Sequence, residues 1–253
     1  MTVFNDFSEA YDLMFPWEGR MAAESDFFDA LFSRYKVQRV LDCACGTGMH
    51  PVLFARMGLE SYGSDLSPRM VETAMDKAMQ RGVTVNLRVS SFTELTDNFK
   101  QDERFDAVVN LGNSLTLAPT DHDVEKAVHQ MFELLNPGGI CVINIFNWDR
   151  LAREKLRIMP ATAARSQESD LTFVRVFHHL GDLIQLNIVV ITREGDAVDT
   201  RILRAEQRPI GHATLLGYLK KAGFRNWFSY NGYSLGPFDP LNSDILLLIA
   251  EKR

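Results

Sequence analysis

The stretch Val40-Leu41-Asp42-Cys43-Ala44-Cys45-Gly46-Thr47-Gly48-Met49-His50 places an acid, two cysteines and two glycines in one turn between an apolar run and a helical pattern. An apolar run from Gln38 to Cys43 that ends in glycines and passes into a helix reads as strand, turn, helix. Gly46 and Gly48 let backbone amides approach a ligand closely, and the helix starting near Met49 presents unpaired N–H groups. A dinucleotide fingerprint needs a third glycine where Pro51 stands, and no Gly-Lys-Ser/Thr follows to make a phosphate loop. Cys43 and Cys45 have no second Cys/His pair at ligand spacing, so no metal is expected, and both read as small buried hydrophobes.

Outward from this turn the unit repeats. Glu60 to Asp65 reads as a second strand, and Ser67-Pro68 gives an N-cap and first-turn proline for a helix to about Arg81. Val83 to Val89 and Arg104 to Asn110 read as strands, His122 to Leu135 as a helix, and Asn136-Pro137-Gly138-Gly139 as a turn into a strand from Ile140 to Phe146. This alternation implies a parallel sheet covered on both faces. After Asn147 it breaks. A charged, Ala-rich stretch leads into extended runs from Leu171 to His179, Leu183 to Arg193 and Val198 to Arg208, an antiparallel insertion. His212 to Ala222 resumes as a helix, and Phe224 to Tyr230 and Asp244 to Ala250 complete the sheet. The expected fold is α/β: a Rossmann-like, seven-stranded, mostly parallel sheet with a small antiparallel β insertion after the fifth strand. The expected organisation is a helical cap over residues 1–36, a core over 37–147, the insertion over 148–210 and the end of the core sheet over 211–253.

The chain has 253 residues, 46% of them hydrophobic, ample for a buried core. Lys+Arg 27 against Asp+Glu 33 gives net charge −6 with no basic stripe, which argues against nucleic acid and for a small-molecule partner. No apolar run reaches the roughly 18 residues of a membrane span. Met1 to Ala10 lacks the basic start of a signal peptide, and three cysteines are an odd number for a disulfide framework, so a cytoplasmic protein without a membrane partner is expected. A homo-oligomer is compatible with the sequence, which sets no oligomeric state.

The D-x-x-C-G-T-G turn resembles the first motif of class I S-adenosylmethionine-dependent methyltransferases. The resemblance implies that Asp42, Ala44, Gly46 and Gly48 belong to a cofactor-binding turn. It makes Asp65 the ribose-binding acid, with Leu66 and Met70 flanking adenine and ribose and Ser91 and Phe92 against the adenine. A carboxylate about 20 residues after the glycine turn can accept from both ribose hydroxyls. Asn110-Leu111-Gly112-Asn113-Ser114 is similar to the L-G-N-S segment of glycine/sarcosine N-methyltransferases. That narrower resemblance implies Asn110 at the cofactor, Arg20 on its methionine carboxylate, and Arg204, five residues before Pro209, on an acceptor carboxylate. Asn113 is the candidate for orienting the acceptor, with shaping of the turn beside Gly112 as the other reading, and Tyr233, in the last glycine-rich loop, is expected to face the pocket. The expected reaction is methyl transfer from S-adenosylmethionine to a small molecule, an amino acid or related carboxylated amine. A natural-product acceptor, transfer to oxygen, and a binding protein that only senses the cofactor remain open, and Arg201 and Arg208 compete with Arg204.

Overall fold

A computed structural model describes residues 8–100, 102–166 and 169–253. Two helices, α1 (Ser8–Met14) and α2 (Trp17–Tyr35), precede the first strand. The core then runs β1 (Arg39–Asp42), α3 (Met49–Arg56), β2 (Glu60–Asp65), α4 (Pro68–Gln80), β3 (Asn86–Val89), α5 (Leu95–Asn98) and β4 (Phe105–Asn110). A short 3-10 turn (Ser114–Leu117), α6 (Asp121–Leu134) and β5 (Leu135–Phe146) follow. Past β5 come α7 (Trp148–Glu154), the strands β6 (Thr162–Arg165), β7 (Asp170–Leu180), β8 (Leu183–Glu194) and β9 (Ala197–Gln207), then α8 (His212–Ala222), β10 (Asn226–Asn231), β11 (Gly236–Pro237) and β12 (Ile245–Glu251).

The main sheet has the order β11-β10-β12-β5-β4-β1-β2-β3, parallel from β5 to β3, with β12 antiparallel to β5. It is the expected doubly covered α/β sheet, with one strand more than the seven expected. The extra strand is the two-residue edge piece β11, too short to leave a periodic pattern and ending in a proline that only an edge tolerates. Asn136-Pro137-Gly138-Gly139 forms an irregularity inside β5, where the pairing with β4 shifts between Phe105 and Ala107. Ser67 caps α4 as expected, its hydroxyl accepting from the Met70 N–H at 3.1 Å, with Pro68 at the first turn.

The strands β6, β7, β8 and β9 form a separate antiparallel sheet. Its buried side, including Phe173, Phe177, Leu186 and Ile188, joins the core cluster of Leu41, Val108, Ile143 and Trp148. Each such large side chain taken from water contributes about 1.5 to 3 kcal/mol, which holds the insertion against the main sheet. A second cluster, built on Phe27, Phe28, Phe32 and Phe54, seats α2 on the opposite face beside Val40 and Val109. Among the described residues no helix is long and apolar enough to cross a membrane.

Candidate active site

The strand order reverses beside β1, which lies between β4 and β2, and the loops leaving their carboxyl ends open a crevice there. A cavity of about 610 Å³ fills it, bounded by the glycine turn, by Tyr11 and Arg20 of the leading helices, and by the insertion. That volume lies within the range of small-molecule sites.

The glycine turn divides its labour. Gly46 has φ +53°, and a Cβ built there meets nothing within 4 Å, so the turn leaves open space at the cavity wall. Gly48, at φ +91°, faces away, where a Cβ would stand 2.7 Å from that of Ala74. Gly48 therefore sets the close approach of α3 to α4 and does not border the cavity, contrary to the expectation that both glycines admit a ligand. Ala44 borders the cavity, while the cysteines are buried as expected. Burial pushes the Cys43 thiol up to about 12, and the Asn110 amide donates to its sulfur at 3.5 Å. Asn110 is thereby packed behind the wall, with its Oδ1 buried and unbonded.

Asp65 ends β2 at the cavity edge, its carboxylate accepting from the N–H of Gly46 and of Ser67, both at 2.9 Å. Burial raises its pKa, and these two donors work against the rise. Leu66 is 57% exposed, too open for a core leucine, and with Met70 it borders the space next to Asp65. Ser91 and Phe92 line the adjoining wall. The Ser91 hydroxyl is within 2.8 Å of that of Thr93.

Asp42 lies behind the turn, with one oxygen accepting from the Ala44 N–H at 3.2 Å. Its other oxygen stands 3.5 Å from Nδ1 of His50, whose Nε2 is 2.7 Å from Glu24. Glu24 in turn accepts from Nε of Arg20 at 3.1 Å. A buried chain of charges thus joins the glycine turn to the helix that carries Arg20. Burial opposes a charged His50, but the bonds to Asp42 and Glu24 outweigh it and its pKa is raised. Burial likewise opposes the Glu24 carboxylate, which His50 holds below its ordinary value. The Tyr233 ring packs 5.2 Å from that of Phe27, and burial pushes its phenol up, with Glu24 adding to the shift. Tyr233 and Arg20 both line the cavity. No sequence pattern announces this chain of contacts, because its partners lie 26 residues apart on α2 and α3.

Asn113 borders the cavity in the left-handed conformation, at φ 69°. Its side-chain oxygen accepts from the Phe146 N–H at 3.1 Å and the Trp148 indole at 3.2 Å, and its amide donates to Thr116 at 3.0 Å. Those bonds commit it to holding the loop after β4 against β5. Asn144, near the end of β5, is an uncommitted amide on the cavity: its Nδ2 is buried and makes no hydrogen bond among the described residues, as is true of Oε1 of Gln207 on the insertion side. Asn144 is one residue of an apolar strand, and only its inward direction singles it out.

On the insertion, Arg204 pairs across the ladder with Asn187, whereas Arg175 pairs with Ile188. Neighbouring residues of a strand point to opposite faces, so Arg204 projects from the face opposite Arg175, Phe177 and Leu186. Arg204 borders the cavity from an exposed position. Arg208 is engaged by Asp121 at 3.3 Å and by the Pro119 carbonyl at 2.6 Å, and Arg201 is exposed and off the cavity. Arg204, expected as the anchor, thus borders the cavity from the outward face of the insertion sheet. Arg175 is the inward arginine that spacing alone missed.

Residues 40–139 match the profile of the methyltransferase domain family. The chain is similar to the glycine/sarcosine N-methyltransferase of Parasynechococcus marenigrum, 32% identical over 146 residues, 58% of this chain and 51% of that one. The chain thus spans about half the length of the first curated relatives it matches. Among solved structures, an S-adenosylmethionine-dependent methyltransferase from Clostridium acetobutylicum superposes with a TM-score of 0.79 at 18% identity, over 98% of both chains. A sugar N-methyltransferase from Streptoalloteichus superposes at 0.75 with 20% identity, over 96% of this chain and 92% of that one. These likenesses establish the fold.

Proposed function

We propose that this chain, whose residues 40–139 form a class I S-adenosylmethionine-dependent methyltransferase domain, transfers the methyl group of that cofactor to the amine of a small molecule held between the glycine turn and the insertion. The observation that carries the reading is the Asp65 carboxylate at the carboxyl end of β2, beside the open wall at Gly46. The residues fit the group. Asp65 keeps acceptor capacity for two ribose hydroxyls, Leu66 and Met70 offer an apolar edge, Ser91 and Phe92 would flank the adenine, and Arg20 would hold the methionine carboxylate. When bound, the cofactor supplies a sulfonium methyl that a neutral nucleophile can accept.

The protein's own contribution is alignment, worth roughly 7 to 11 kcal/mol when both reactants are held in attack geometry. An acceptor amine must arrive uncharged with its lone pair aimed at the methyl. The side-chain oxygen of Asn144, on the cavity, would accept one of the amine's N–H bonds, a role that the committed Asn113 amide supports only through the loop it holds. Methyl transfer from labelled S-adenosylmethionine across glycine, sarcosine, aromatic amines and amino sugars tests this. Label recovered on nitrogen is the expected result. Label on oxygen would replace the amine reading, and bound cofactor with no transfer to any acceptor would leave a binding protein.

A further inference from the structure

Arg175 is the inward-facing arginine on the insertion side of the cavity, and no carboxylate among the described residues pairs with it. Its guanidinium carbon lies 5.7 Å from the centre of the Phe15 ring. Its Nε is buried without a hydrogen-bond partner, and no ion pair reaches it from the described residues. Around it the wall is apolar, built from Phe15, Phe177, Leu186 and Ile188. Burial lowers its pKa with no carboxylate acting in the other direction, whereas Arg20, on the opposite wall, has Glu24. An arginine keeps its charge at any ordinary pH, so a half-buried guanidinium whose buried Nε has no partner carries a desolvation cost that a bound anion would offset. The planar fork suits the two oxygens of a carboxylate or a phosphate, and the surrounding low dielectric strengthens the attraction.

We propose that Arg175 is the anion subsite of the acceptor pocket, and that the acceptor carries an oxyanion on an apolar body larger than that of glycine. This rests on the methyltransferase reading for the meaning of "acceptor", but not for the anion. The aromatic and aliphatic wall gives a two-carbon acid nothing to pack against, whereas a longer chain or ring covers Phe177, Leu186 and Ile188 while its acid group meets Arg175. The requirement separates this chain from a dedicated glycine enzyme, although its sequence is similar to one.

The test is calorimetric titration of the full chain, free and with saturating S-adenosylhomocysteine, using acetate, 3-phenylpropanoate, 3-phenylpropanamide and phenyl phosphate. The expected result is that 3-phenylpropanoate or phenyl phosphate binds at least about tenfold more tightly than the amide, in keeping with a charged hydrogen bond. Acetate should bind at least about tenfold more weakly than 3-phenylpropanoate. The stronger of the two large anions tells carboxylate from phosphate ester. Arg175→Met should bring the acid-to-amide ratio near one, and Arg175→Lys should keep part of it. An amide that binds as well as both large anions, a preference that survives Arg175→Met, or one lost only in Arg204→Ala overturns the subsite, and acetate binding as tightly as 3-phenylpropanoate overturns the apolar body. Failure of S-adenosylhomocysteine to bind would sink the methyltransferase reading instead, and the titration of the free chain would still judge Arg175.

Discussion

At the scale of single residues, similar side chains in the same loops have different duties, and substitution separates them. Gly46 and Gly48 both adopt positive φ, but only Gly48 has Ala74 2.7 Å from where a Cβ would be. Gly48→Ala is therefore expected to destabilise the fold by about 1 to 3 kcal/mol through overpacking, while Gly46→Ala pays mainly about 1 kcal/mol of backbone strain and narrows the cofactor wall. Thermal unfolding beside S-adenosylhomocysteine titration should show a lower Tm for Gly48→Ala and weaker binding for Gly46→Ala; the reverse pattern would contradict the assignment. The two asparagines divide in the same way. Asn113→Ala removes the acceptor for Phe146 and Trp148 and should cost about 1 to 3 kcal/mol of stability. The Asn144 Nδ2 has no hydrogen bond among the described residues to lose, so Asn144→Ala should leave Tm nearly unchanged and lower kcat for the preferred amine. A Tm loss equal to that of Asn113→Ala, with kcat intact, would make Asn144 structural.

At the scale of elements, the contact of α2 with α3 is a buried chain of charges, and that makes the cap sensitive to pH. His50 sits between Asp42 and Glu24, near the rings of Phe28 and Phe54, with Arg20 beyond Glu24 and Tyr233 packed alongside. Its folded pKa is raised above the ordinary value of about 6.5, so its contribution to stability is complete below that pH and is lost as pH rises through the folded value. Glu24 has the opposite sign: its pKa is depressed, and its contribution, present above about pH 4.5, is lost as the medium turns acidic. Melting curves should therefore show Tm falling above about pH 6.5 in the native protein, a slope that His50→Gln flattens. An identical pH profile in the two proteins would mean that His50 does not titrate within the fold. The same chain steadies Arg20. Arg20→Ala should weaken cofactor affinity, and Arg20→Lys should recover only part, because an ammonium lacks the fork that meets a carboxylate. Equal affinities in all three would leave Arg20 as a partner of Glu24 alone.

At the scale of the whole molecule, the alternation of strand and helix from Val40 to Phe146 was legible because buried parallel strands are near-continuous apolar runs and their turns carry Gly or Pro. A site at the carboxyl ends of strands follows from topology and points to the glycine turn at Gly46, whereas the role of Asp65 comes from the resemblance to class I methyltransferases. The helix α7 and the strand β6 went unread: one is a single short segment begun by an Asn147 cap, the other a four-residue piece, Thr162–Arg165, at a sheet edge. Asn147 beside Trp148 was the available signal for the helix. The insertion strands were visible, but their inward face was not, because spacing to Pro209 cannot fix register and a shift of one residue exchanges the faces. That is why Arg204 was favoured and Arg175 passed over. The His50 chain was illegible for a related reason, since its ends meet only in the fold. All these assignments depend on cofactor occupying the glycine-turn side of the cavity, and calorimetric titration of the native chain and Asp65→Ala with S-adenosylhomocysteine measures that directly. The account predicts one molecule bound per chain and a loss of roughly 1.5 to 3 kcal/mol in a folded Asp65→Ala; no binding to the native chain, or equal affinity in the two, would contradict it.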